Sequence, residues 1–416
     1  MKVVPEAGGH EPGMKFTISS PAGRFMRRED SMRRAPRLLA VFLTLLTLAM
    51  ALPSMANATT YLVRPDGTGD FPTIQAAIDA THAGDVVELD DGLFTGPGNR
   101  DIVVPYRQLI IRSRSGDPAS CILDCQELGF GIDVYAVAGT ELQGFTITRG
   151  RNPWGGGAAL SISSGSGVGI TVSDCVFSAS SCAWGGAVGS VGNSTFHRCH
   201  FIDNHAYEGG AFATNSAYGP TFDSCEFIGN SATHCGGAVF FETIEVASRD
   251  VRNAVFRDCL FAQNTDHPVV LDGASPTFEG CTFVGNSSTG GVIGCSFALG
   301  VPSHPLIRNC IIAFSPAGRA VICDAQSEPA LECCDLFGNA GGDWVGCLDG
   351  QLGTDGNIAE DPLFCDPAGF DFTIEEGSPC APNFNPACGL IGAFSVGCGS
   401  TPARSVSWGA AKAMFQ

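Results

Sequence analysis

The residues of this chain best suited to meeting a ligand are four rings that stand just before glycine pairs. Trp154, Trp184, Tyr207 and His234 occupy that slot, within one position, in four successive copies of a repeated phrase. Rings stacked one repeat apart, with Arg151, Asp203, His205 and Glu208 as polar neighbours, form a strip suited to sugars. Sugars stack on aromatic faces and hydrogen-bond through their hydroxyls. The structural alternative is that these rings cover the glycine turns and pack beneath inserted loops. Trp154, Trp184, Tyr207, His234 and Glu208 are therefore the candidate ligand-binding residues, and no catalytic residue is assigned. His197 and His200 alternate with inward Phe196, Cys199 and Phe201, which fits solvated positions on a strand.

The phrase that positions these rings is stated most clearly between Phe196 and Val239. Phe196-His-Arg-Cys199-His-Phe201-Ile-Asp-Asn204 is followed after four residues by Gly209-Gly210-Ala211-Phe212. Phe222-Asp-Ser-Cys225-Glu-Phe227-Ile-Gly-Asn230 is followed after five residues by Gly236-Gly237-Ala238-Val239. Copies recur at Phe256 to Asn264 and Phe278 to Asn286, with weaker ones at Val172 to Ser180 and Ile307 to Ile312. The cysteines step by 24, 26, 34, 22 and 29 residues, a unit of 22 to 26 with insertions. Cys and Phe two apart is strand spacing, and Asn or Gly-Gly punctuates each run as a turn. Such a unit has no room for a helix, lacks the leucine pattern of leucine-rich repeats, and is about half a propeller blade. The expected fold is all-β: a right-handed single-stranded parallel β-helix of about ten rungs with a short N-terminal capping helix.

In that fold Cys175, Cys199, Cys225, Cys259, Cys281 and Cys310 share one inward slot and are expected as buried thiols. Their parallel Cβ vectors are poorly placed for bonding to one another. Asn204, Asn230, Asn264, Asn286 and Asn339 should form a stacked amide ladder at one corner. Insertions at 161–169, 242–250 and 297–303 all follow the Gly-Gly strand and should emerge as loops from one edge.

The Phe-x-x-Asn and Gly-Gly-Ala-hydrophobic phrases resemble the repeats of chlamydial-type polymorphic outer membrane proteins, over about residues 155 to 294. That resemblance implies a β-helical surface protein, often an adhesin. The opening is similar to pectin-lyase-like β-helices: Phe71, Ile74 and Ile78 fall at helical spacing behind Pro72, a helix that would plug the first rung. Enzymes of that fold use acid-bound calcium with an Arg base, or carboxylate pairs in recognisable motifs. An Asn-Thr-Asp segment with a later Asp-Asp, His-Gly, Arg-Ile-Lys and Gly-x-Val-Asp-Phe-Ile-Phe-Gly are all absent from the sequence. Asp90 and Asp91, directly after the first rung strand, fit turn chemistry. Carboxylates on stacked rungs could still converge without a linear motif. A polysaccharide lyase, esterase or hydrolase is therefore the alternative function, and a structural envelope protein the second.

Arg33, Arg34 and Arg37, the apolar run 38–52 and Ala56-Asn57-Ala58 read as a secretory signal cut near Ala58, with Met32 as the natural start. A single membrane anchor is the other reading of this run, which is short for a span. The expected division is 1–58 as over-extended start plus signal, 59–345 as β-helix, 346–400 as C-terminal cap and 401–416 as a short tail. The chain carries 23 basic and 42 acidic residues, net −19; without 1–58, which hold eight basic and four acidic residues, the net is −23. Such a surface repels phosphate backbones, so nucleic acid is excluded as a partner. It leaves room for calcium without placing it. The 28 Phe against 5 Tyr fit a stacked core. All 19 cysteines follow Ala58, and export permits disulfides; Cys347, Cys365, Cys380, Cys388 and Cys398, in loop-rich sequence, are expected to pair in part. No metal site is assigned, since no paired C-x-x-C sets and no His at ligand spacing appear. The expected product is a secreted, monomeric, extracellular or cell-surface β-helix that binds a polysaccharide or cell-surface glycan.

Overall fold

The computed structural model describes residues 58–165, 167–216, 218–242, 254–296 and 301–398; most of the signal segment, most of the 242–250 insertion, part of the 297–303 insertion and the 401–416 tail lie outside it. Among the described residues, strands of a few residues each build four parallel sheets of 11, 10, 9 and 4 strands, here sheets A, B, C and D. One rung shows the path: Asn193–His197 in sheet A, His200–Ile202 in B, His205–Glu208 in D, Phe212–Thr214 in C, then Thr221–Asp223 in A again. Each rung pairs in register with the next, Phe196 beside Phe222, Phe201 beside Phe227 and Phe212 beside Val239. This is a parallel β-helix. The turns explain why so short a phrase suffices. A left-handed residue precedes the cysteine of each rung (Asp174, Arg198, Ser224, Asp258, Gly280, Asn309), and another precedes the Asn or Ser slot (Ala179, Asp203, Gly229, Gln263, Gly285, Phe314). The asparagines themselves are not the left-handed residues; the position before each of them is.

Stacking in register aligns identical side chains into columns. Phe196, Phe222, Phe256 and Phe278 stack at 4.7–4.9 Å, and Phe201, Phe227, Phe261 and Phe283 at 4.5–4.7 Å. The two columns meet edge to face, as aromatic quadrupoles prefer. Cys175, Cys199, Cys225, Cys259, Cys281 and Cys310 are free and fully buried, and Cys334 continues their column. Burial pushes the Cys175 thiol up to about 12. Asn204, Asn230, Asn264 and Asn286 are likewise fully buried. Asn204 donates from both its backbone N–H and its Nδ2 to Asn230 Oδ1, each at 3.0 Å, and from Nδ2 to the Phe177 carbonyl at 2.9 Å. Asn230 and Asn264 repeat the pattern one rung on. The ladder thus satisfies buried corner groups that no strand reaches. At the third corner the Gly-Gly pair is required: Gly209 has φ +67°, and a Cβ on Gly210 would strike the Gly237 carbonyl.

Helix α1 (Ile74–Ala80) closes the first rung with Ile74, Ala77 and Ile78 buried. Its N-cap is Thr73, which accepts from Ala76 N at 3.2 Å, so Pro72 stands before the cap rather than in the first turn. The far end departs from a simple cap. Trp344 and Leu348 pack onto the main core, but Phe364, Phe372, Ile374 and Ile391 pack against outward residues of sheet B, Ile228, Leu260, Val284 and Ile311 among them. The C-terminal segment therefore doubles back along the flank of the solenoid. Disulfides Cys323–Cys347, Cys333–Cys388 and Cys365–Cys398 fasten it, while Cys380 stays a buried thiol.

Candidate functional site: the outer strip of sheet D and its cleft

Sheet D has only four strands, Arg151–Gly156, Ser181–Trp184, His205–Glu208 and Ser231–Cys235, inserted between the Asn corner and the Gly-Gly corner. It carries every ring expected to form the ladder, but the register divides them. Trp184 pairs with Gly156 on one side and Glu208 on the other, which sets Ala183, not Trp184, beside Tyr207. Trp184 lies over Gly156, where an added Cβ would come 2.7 Å from the indole. It is half-buried, and its Nε1 has no acceptor among the described residues. Trp184 thus covers the neighbouring rung. The side chain of Trp154 lies outside the described residues.

Tyr207 and His234 do form a column. Their rings stack at 5.0 Å and 4°, and Tyr207 is 53% exposed. The arrangement is a stacked pair, not a ladder of four. Each ring covers one face of the other, so each retains one outer face; that of Tyr207 lies on the side of small Ala183. His205 is exposed and shares a 3.0 Å hydrogen bond with Ser231 Oγ. Asp203 occupies the left-handed turn before Asn204, and Arg151 is exposed at the start of the first strand.

A register shift places Glu208 in the site. Ala206 pairs with Ala232 but Glu208 pairs with Cys235, so Thr233 and His234 together oppose Tyr207. This β-bulge is the fifth residue between Asn230 and Gly236, where the preceding copy has four. Bulges re-aim side chains, and here His234 Nδ1 comes 3.1 Å from Glu208 Oε1. The ligating atoms of Glu208, His234 and Cys235 all lie within 4.8 Å of one another.

After this rung sheet D ends, because the next copy lacks a Gly-Gly strand, and a cleft of about 460 Å³ opens there. His234, Cys235, His267, Asp272, Ser296 and Asp324 line it. Glu242 and Asp272 are register partners on sheet C. The Glu242 carboxyl is raised, first by burial and then by the charges of Glu208 and Asp272. Burial, reinforced by Glu208, Asp272 and Glu242, pushes the Cys235 thiol up to about 12. Cys235, Glu242 and Asp272 are additions to the expected site. Only the inserted residue before Gly236 hints at them in the sequence.

Other candidate residues resolve into structure. Asp90 sits between Arg64 at 3.2 Å and Arg114 at 3.8 Å. His197 pairs with Asp223 at 3.0 Å, and His200 pairs with Glu226 at 3.0 Å with side chains only 15% and 11% exposed. His200 is thus nearly buried rather than solvated, because Glu226 occupies the next rung in the same column.

The class these observations define is the parallel β-helix. The family model described as "Right handed beta helix region" matches residues 128–299, a span that contains sheet D and most of the cleft. A stretch of 108 residues is 36% identical to metabotropic glutamate receptor-like protein P of Dictyostelium discoideum, covering 26% of this chain and 7% of that protein. Among solved structures the chain is similar to pectate lyase Pel9A, with a TM-score of 0.43 and 12% identity over 83% of this chain and 98% of that one. It is similar too to a rhamnogalacturonan lyase, with a TM-score of 0.38 and 13% identity over 67% of this chain and 87% of that one. No helix among the described residues is long and apolar enough to cross a membrane.

Proposed function

We propose that the protein is an exported β-helix that binds a glycan along the outer strip of sheet D. The observation that carries this reading is the exposed stack of Tyr207 on His234, with Glu208 beside it and a cleft at its open end. Ring faces bind the apolar face of a sugar, while the flanking carboxylate and imidazoles meet its hydroxyls. The scaffold beneath is rigid, so the strip is organised before ligand arrives. Acidic Glu208, Glu242 and Asp272 make neutral glycans the better ligands; an anionic polysaccharide would need a cation between itself and the cleft. Retention on immobilised neutral and acidic polysaccharides, with calcium or chelator, tests the reading. Tyr207→Ala should weaken retention about tenfold, the ~1.4 kcal/mol expected of one ring stack. Equal retention by wild type and Tyr207→Ala would remove the strip from the binding surface.

The raised Glu242 carboxyl beside Asp272 favours one second reading, a polysaccharide-cleaving enzyme. A carboxyl that holds its proton beside a second carboxylate is the usual equipment for acid and base roles. New chain ends released by wild type and abolished in Glu242→Gln would establish it in place of simple binding.

A further inference from the structure

We infer that Glu208, His234 and Cys235 form a binding site for a divalent cation of borderline softness, Zn2+ foremost. The inference goes beyond glycan binding and does not rest on it. Three donors of different chemistry, a carboxylate oxygen, an imidazole nitrogen and a sulfur, converge within 4.8 Å. A zinc ion with bonds of about 2.0–2.3 Å holds its ligands roughly 3.3–3.7 Å apart. Small rotations of three partly exposed side chains close that difference. The convergence is built by the fold, since the bulge at Thr233 and His234 turns two consecutive residues toward the carboxylate of the rung before.

Charge points the same way. Glu242 and Asp272, register partners on sheet C, add two carboxylates, Asp272 lining the same cleft as His234 and Cys235, and neither makes an ion pair with Lys or Arg among the described residues. A dication offsets that accumulation. Binding replaces the Cys235 proton, released to solvent, by the metal, and three protein ligands leave a fourth position open toward the cleft. A sulfur and nitrogen donor set selects zinc-like ions over calcium or magnesium, which take oxygen ligands. The sequence offers no warning, because a solenoid joins Glu208 to Cys235 across 27 residues without any linear ligand motif.

The purified chain, stripped with chelator and dialysed, is titrated with Co2+ as an absorbing probe and with Zn2+ in competition. Expected are one equivalent of Co2+, a near-ultraviolet thiolate-to-cobalt band, and displacement by Zn2+. Cys235→Ser should abolish the band, and His234→Ala and Glu208→Gln should each weaken uptake at least ~100-fold, the upper end for loss of a mere outer-shell partner. Cys182→Ser, two strands from Cys235 on the same sheet, should leave the band intact. If one substitution prevents folding, the other ligand variants carry the same test. Lack of uptake by folded wild type, or a band that survives in Cys235→Ser, would overturn the site. Glycan retention is measured separately, so either result leaves that question independent.

Discussion

Asp335 is fully buried beside the Cys380 thiol, which donates to its carboxylate at 3.1 Å, and it also accepts from Glu360 N. Burial, partly offset by those hydrogen bonds, raises its carboxyl from 3.8 to about 6. The native state therefore holds this proton more tightly than the unfolded chain does. Its contribution is full below pH ~4, falls as pH rises toward about 6, and stays lost above that, by a total on the order of 3 kcal/mol. Asp335→Asn should flatten this slope and raise stability at pH 7; denaturant melts of both proteins from pH 4 to 8 check it, and parallel curves would refute it. At the same scale Asn230→Ala removes an acceptor shared by two Asn204 donors and a donor to the Phe201 carbonyl. The unsatisfied groups left behind should cost about 2–4 kcal/mol, read as a lower midpoint with unchanged slope.

At the scale of elements, the solenoid is held by its columns and the C-terminal segment by its disulfides. Phe227→Ala opens a void in a continuous stack and should cost ~3–5 kcal/mol in equilibrium unfolding. Reduction should act elsewhere: hydrogen exchange in reductant is expected to rise over 358–398, which covers sheet B, while the strands bearing the Phe columns stay protected. Uniform loss of protection would mean that the segment and the solenoid unfold as one unit. The Phe, Cys and Asn columns are legible in the sequence because each recurs at one place in the period, and stacking turns recurrence into contact. The doubling back of the C-terminal segment is not legible. Ile228, Leu260 and Val284 read as ordinary strand residues until something is seen to cover them. The site is legible only in part. Tyr207, His234 and Glu208 stand out by type and place, but a one-residue register offset sends Trp184 to another column. Cys235, Glu242 and Asp272 join them through pairing between rungs, which linear spacing does not express.

Across the described rungs, the columns run from one rung to the next, and sheet D adds to the middle rungs a short exposed face that ends in an acidic cleft. The proposed role of that face is glycan binding. The most direct test of that role is retention of the purified chain on a panel of neutral and acidic polysaccharides, with Tyr207→Ala run alongside. Binding to a neutral glycan that falls about tenfold in Tyr207→Ala while the melting curve stays unchanged is the expected result. A folded protein that is retained by none of these polysaccharides, or retained equally with and without the Tyr207 ring, would contradict a glycan-binding strip on sheet D.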